Sequence, residues 1–118
     1  MSRSGNVSPS LARRIAEAIA RAEGYYVLGS LPSRLNNPGS LKGSTGSLRW
    51  FSTPAEGWRA LEDQVRRMLA GTSMWYKPSM TIREVAKIYT GGDKPDAWAS
   101  IVSKQLKVTP DTRLSELV

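Results

Sequence analysis

Leu11, Ile15 and Ile19 recur at intervals of four residues, and the next member of that series is not apolar but Glu23, followed at once by Gly24. This spacing defines one face of an α-helix, the face that normally turns to the core. Ser8-Pro9 supplies a cap residue and a proline at the first helical position, and Gly24 suits the residue that closes a helix. The chain is therefore expected to open with a long helix whose buried stripe ends in a carboxyl group. There the negative end of the helix dipole and partial burial both disfavour ionisation, so the Glu23 pKa is expected to be raised. A carboxylic acid kept protonated near neutral pH in an apolar cleft is suited to general acid catalysis. The competing expectation is a solvated acid, because drift of the 3.6-residue period can turn Glu23 outward.

The chemistry open to the chain is narrowed by absences. It contains no Cys and no His. Disulfides, thiolate metal sites, Cys nucleophiles, Ser-His-Asp triads and zinc hydrolase sites built on His are thereby excluded, as is phosphotransfer through His. Carboxylate, Lys, Tyr, Ser or Thr chemistry remains, and carboxylate chemistry leads. No metal and no organic cofactor is expected.

At 118 residues with four Trp, the chain has material for one core, so a single domain over residues 1–118 is expected, with residues 1–8 flexible. A net charge of +7 predicts attraction to polyanions, among them nucleic acid, anionic membrane surfaces and bacterial cell wall. The pairs Arg13-Arg14 and Arg66-Arg67 read as solvated helix faces, and there is no clustered recognition helix, which argues against nucleic acid. No apolar stretch approaches the roughly 20 residues that span a bilayer, and Met1–Ser10 lacks the hydrophobic block of a secretory signal.

Residues 25–52 are rich in Gly, Pro, Ser and Asn, and read as a loop leading into a small hairpin around Gly43-Ser44-Thr45-Gly46. Thr53-Pro54-Ala55-Glu56 reads as a capping box. It opens a helix with Trp58, Leu61, Val65, Met68 and Leu69 inward and Gly71 beyond its end. A second box, Thr81-Ile82-Arg83-Glu84, opens a shorter helix with Ile82, Val85, Ala86 and Tyr89 inward, stopped by Gly91-Gly92. Asp93-Lys94-Pro95 starts another, carrying Trp98, Ile101, Val102 and Leu106, and a final turn holds Leu114 and Leu117. Trp50, Trp58 and Trp98 are assigned to the core. Trp75-Tyr76 lies in an irregular loop, more as a cap on the core than as a binding lip.

No Asp or Glu occurs between Gly24 and Ala55. Two-carboxylate glycosidases place their acids roughly 5 to 9.5 Å apart across the scissile bond. With no acid in the expected hairpin, Glu23 would act on a sugar alone. It would protonate the leaving oxygen and then, as a base, either position water or take a proton from a substrate hydroxyl to give an anhydro sugar. Glu56 and Glu62 are weaker candidates for a second acid.

Three segments in this order, Ala22-Glu23-Gly24, Asn36-Asn37-Pro38-Gly39-Ser40-Leu41 and Phe51 through Leu61, carry a resemblance to a lysozyme-like family of phage virion and bacterial proteins. Its members look like small goose-type lysozymes and lytic transglycosylases, with the acid at the end of the first long helix. Tyr89-Thr90-Gly91-Gly92 is similar to the Tyr-Asn-Ala-Gly element that lines the transglycosylase cleft. Ser40 and Thr90 each stand where the family has Asn, and Gly24 stands where a Ser normally follows the acid.

The resemblance implies an α+β, predominantly helical, lysozyme-like fold with a small β-hairpin after the first long helix. It further implies cleavage of the bond between N-acetylmuramic acid and N-acetylglucosamine in peptidoglycan at the bacterial cell wall, by a monomer with Glu23 as sole general acid/base. Tyr25, Tyr26, Asn36, Asn37 and Tyr89 are the candidate substrate contacts. The two Tyr offer aromatic faces for sugar rings, one as groove floor and one packed inside. The two Asn either touch sugar amides or only shape the loop through Asx turns. Two other classes compete: a catalytically inactive wall-binding or virion structural module, and a basic nucleic-acid-binding domain.

Overall fold

The computed structural model describes residues 7–118, and the expected flexible start lies mostly outside them. Helix α1, Pro9–Ala22, is opened by the Ser8 side chain, which accepts from the Leu11 N–H. It buries Ala12, Ile15, Ala16, Ile19 and Ala20, small residues alternating with Ile, and packs against two later helices, α3 (Pro54–Ala70) and α5 (Pro95–Leu106). Helix α4, Ile82–Tyr89, begins at a complete capping box between Thr81 and Glu84 and also packs on α5. One hydrophobic core joins these four helices, with Leu61, Val65, Met68, Ile82, Val85, Trp98 and Val102 among its buried members. A short 3-10 turn, Leu114–Leu117, closes it through Leu114. No helix among the described residues is long and apolar enough to cross a membrane.

Several expectations are corrected. Thr53 caps α3 by accepting from the Glu56 N–H, but Glu56 turns its carboxylate to the Ser52 N–H and hydroxyl, so the box is only half formed. A four-residue helix, α2 (Leu31–Arg34), occupies the expected loop, capped by Ser30 and started by Leu31-Pro32. The expected hairpin is a return of chain with one antiparallel bridge, Lys42 to Leu48, and among the described residues no strand forms. Gly, Ser and Thr fill its turn and leave too few β-branched or aromatic pairs to extend a ladder. The fold of the described residues is predominantly helical.

Trp50 is 67% exposed instead of buried. The chain is not helical here, and Phe51, not Trp50, takes the inward position. The Phe51 N–H donates to the Leu35 carbonyl and ties this segment to the end of α2. Ile101 is also partly exposed, since the α5 face that bears it borders a groove.

The segment from Asn36 to Leu41 is held to its surroundings by two amides. Asn37 is fully buried, its Nδ2 donates to the Leu41 and Arg49 carbonyls at 2.9 and 3.0 Å, and its Oδ1 accepts from the Leu41 N–H at 2.9 Å. Asn36, in the left-handed region at φ 55°, donates to the Phe51 carbonyl at 2.9 Å. Asn37→Ala leaves the buried Leu41 N–H without its acceptor and takes one donor each from the Leu41 and Arg49 carbonyls, and is expected to cost about 2 kcal/mol. Urea denaturation would show a lowered midpoint at unchanged m-value. An unchanged midpoint would mean that water replaces the amide at no cost.

Candidate active site

Glu23 is the C-cap of α1, with its N–H still bonded to the Ile19 carbonyl. Gly24 follows at φ 82°, and the Tyr25 N–H reaches back to the Ala20 carbonyl, which closes the helix in the manner its Gly predicts. This turn leaves the Glu23 side chain directed toward α5, where its Oε2 accepts a 2.8 Å hydrogen bond from the Trp98 indole N–H. The Trp98 ring lies 5.0 Å from the Tyr89 ring, which is in turn 6.2 Å from Tyr76. The Tyr89 hydroxyl donates to the Gly39 carbonyl at 2.7 Å. One connected arrangement therefore runs from the acid through two aromatic residues to the Asn-Pro-Gly segment.

Burial raises the Glu23 pKa above its ordinary value. The Trp98 N–H, the Ser40 hydroxyl and the Lys42 charge oppose that rise without cancelling it. Burial also raises Tyr89 well above 10 and pushes Tyr76 up to about 12, helped in both by the Glu23 charge, so both phenols remain protonated donors. Ser40 sits in the left-handed region at φ 50°, a conformation in which Asn is more at ease.

Glu23 lines one lobe of a surface groove, a cavity of about 400 Å³ that also touches Ser40, Lys42, Tyr89, Asp93 and Trp98. A second lobe of about 530 Å³ shares Ser40, Lys42 and Tyr89 with it and continues past Arg49, Arg67 and Trp75. Of the candidate contacts, only Tyr89 lines the groove. Asn36 and Asn37 are used by the backbone, so the loop-shaping alternative holds for both. Tyr25 and Tyr26 pack around Trp58, with centroids 5.5 and 6.5 Å from its ring, and line neither lobe. The left-handed Gly24 turns the chain away immediately after the acid, which sequence neighbourhood does not reveal.

The weaker acids also lie elsewhere. Glu56 is exposed, and its hydrogen bonds to Ser52 lower its pKa. Glu62 pairs with Arg13 at 2.9 Å and Arg66 at 3.8 Å in a separate recess of about 630 Å³. Asp93, which the sequence did not single out, is the one other acid lining the Glu23 lobe. Ser40 and Trp98 stood out in the sequence only as a departure and a core residue, and Lys42 did not stand out at all. Among the described residues, no group of three acidic side chains is gathered that would hold a metal ion.

Trp98→Phe retains a ring against Tyr89 but removes a donor to the ionised acid, so the Glu23 pKa is expected to rise further. Carboxyl-detected NMR titration would register the shift. An unmoved or lowered value would show that the indole does not stabilise the carboxylate.

No family model, curated protein or solved structure matches this chain.

Proposed function

We propose that the chain is a lysozyme-like glycan-cleaving enzyme that acts on the bond between N-acetylmuramic acid and N-acetylglucosamine in peptidoglycan. The observation that carries this reading is Glu23, a partly buried acid with a raised pKa, oriented by an indole N–H on the wall of an open groove. Such an acid can protonate a leaving oxygen near neutral pH. The lysozyme-like likeness of its helix-end position and of the Asn36–Leu41 segment supplies the substrate class.

Glu23 acts as general acid and then as general base. No second carboxylate approaches it on the 37–51 segment, where the sequence has no acid. This favours attack by a hydroxyl of the substrate itself, with Glu23 taking that hydroxyl's proton, over a covalent glycosyl intermediate. The product is then an anhydro sugar. Lys42 and the net positive charge favour approach to an anionic wall.

The test is incubation with purified peptidoglycan and mass analysis of the soluble fragments. Anhydro-muramyl ends support the lytic transglycosylase route, and reducing ends support hydrolysis with water positioned by Glu23. Binding to the wall without release of fragments would replace the enzyme by an inactive wall-binding or virion structural module.

A further inference from the structure

The second lobe of the groove differs from the first in charge. Lys42, Arg49 and Arg67 line it, and no Asp or Glu does. None of the three forms an ion pair among the described residues, whereas Arg13, Arg66 and Arg83 are all paired. Lys42 and Arg49 stand on the two sides of the 42–48 bridge, and Arg67 comes from the last turn of α3. Trp75, 66% exposed, lines the same lobe.

The adjoining lobe sets the acids Glu23 and Asp93 against Lys42 and Lys94, whereas this one carries cations alone. A polymer charged at every unit, such as nucleic acid, would carry phosphates past those two acids. A neutral sugar chain with carboxylates on side branches would present anions in one lobe and uncharged rings in the other. Guanidinium groups suit carboxylates because they offer paired donors in a planar fork.

We propose that the cationic lobe receives the carboxylate-bearing peptide stem of a peptidoglycan strand, with Arg49 and Arg67 as its anion contacts, while the sugar chain crosses Ser40 and Tyr89 to reach Glu23. This rests on the glycosidase reading above. Arg49 lies over the Phe51 ring at 4.6 Å, which restricts its guanidinium near the lobe before ligand arrives.

The test compares strands bearing their stems with the same strands after an amidase has removed them. Wild-type kcat/KM is expected to be about tenfold higher on stem-bearing strands, the size of one good charged hydrogen bond. In Arg49→Gln/Arg67→Gln that ratio falls toward one, and in Arg49→Lys/Arg67→Lys part of it returns. Equal wild-type rates, or a ratio that survives the Gln pair, overturns the assignment.

A binding arm separates this from the catalytic reading. Calorimetry on Glu23→Gln uses a soluble N-acetylglucosaminyl-N-acetylmuramyl-tetrapeptide, the peptide-free disaccharide and a single-stranded DNA dodecamer. Tighter binding of the tetrapeptide form, lost in the added Gln pair, supports the lobe even if wild-type turnover is absent and the glycosidase reading fails. Equal affinity for the two sugars, no binding of either, or tighter binding of the DNA overturns it, whether or not Glu23 proves catalytic.

Discussion

Glu23→Gln is expected to lose peptidoglycan turnover by about a hundredfold to ten-thousandfold and, at neutral pH, to be more thermostable than the wild type. The two effects share a cause. Gln keeps an oxygen to accept from the Trp98 N–H but has no proton to give, so the groove is preserved while general acid catalysis is lost. The stability effect follows from proton linkage. Burial raises the Glu23 pKa in the folded protein, so between the unfolded and folded values the folded state binds more protons. Its stabilising contribution is complete below the unfolded pKa and is lost as pH rises through the folded one. Above that window the wild type carries a partly buried carboxylate that Gln lacks. Melting curves of the two proteins should therefore diverge on going from pH 4 to pH 8, with the variant higher at pH 8. A variant no more stable at pH 8 than at pH 4, relative to wild type, would mean a solvated acid. Full turnover by the variant would remove Glu23 from the chemistry.

The largest structural effect is expected at Gly57, in the first turn of α3. An Ala there would place its Cβ onto the Asn36 carbonyl oxygen and 2.9 Å from Pro38 Cδ. Helix propensity argues the other way, since Gly to Ala within a helix is worth about 1 kcal/mol in favour of Ala. The clash outweighs it, because it is with backbone, which cannot rotate away. A net loss of about 3 kcal/mol or more is expected, a fall in melting temperature of more than about 10 °C. Survivors of the substitution would carry a displaced 36–41 segment, and with it a displaced Ser40. A rise in melting temperature would show propensity winning, and would mean that the segment does not lie against α3.

The helices were legible because their ends are written locally. Ser8-Pro9, the Thr81 to Glu84 box, Pro95 and the closing Gly residues each act over one turn, and the apolar stripes between them follow a fixed period. Only the four-residue α2, too short to show a period, escaped notice. The raised acid was legible for the same reason, as a fourth member of the Leu11, Ile15, Ile19 series. What partners it was not. Tyr25 and Tyr26 are its nearest aromatic neighbours in sequence yet turn aside to Trp58, whereas Ser40, Lys42, Asp93 and Trp98 arrive from other segments. The Asn-Asn-Pro-Gly segment was conspicuous, but whether an amide faces a ligand or its own backbone is decided by burial, and full burial of Asn37 decides it.

Glu23 and Trp98 stand 75 positions apart in the chain. During synthesis the acid leaves the ribosome well before its indole partner, which follows 75 residues later. Until α5 docks on α1, the carboxyl has neither the burial that raises its pKa nor the donor that orients it. A growing chain thus carries a glutamate of ordinary acidity, and the unusual acid comes into being only when α5 is in place.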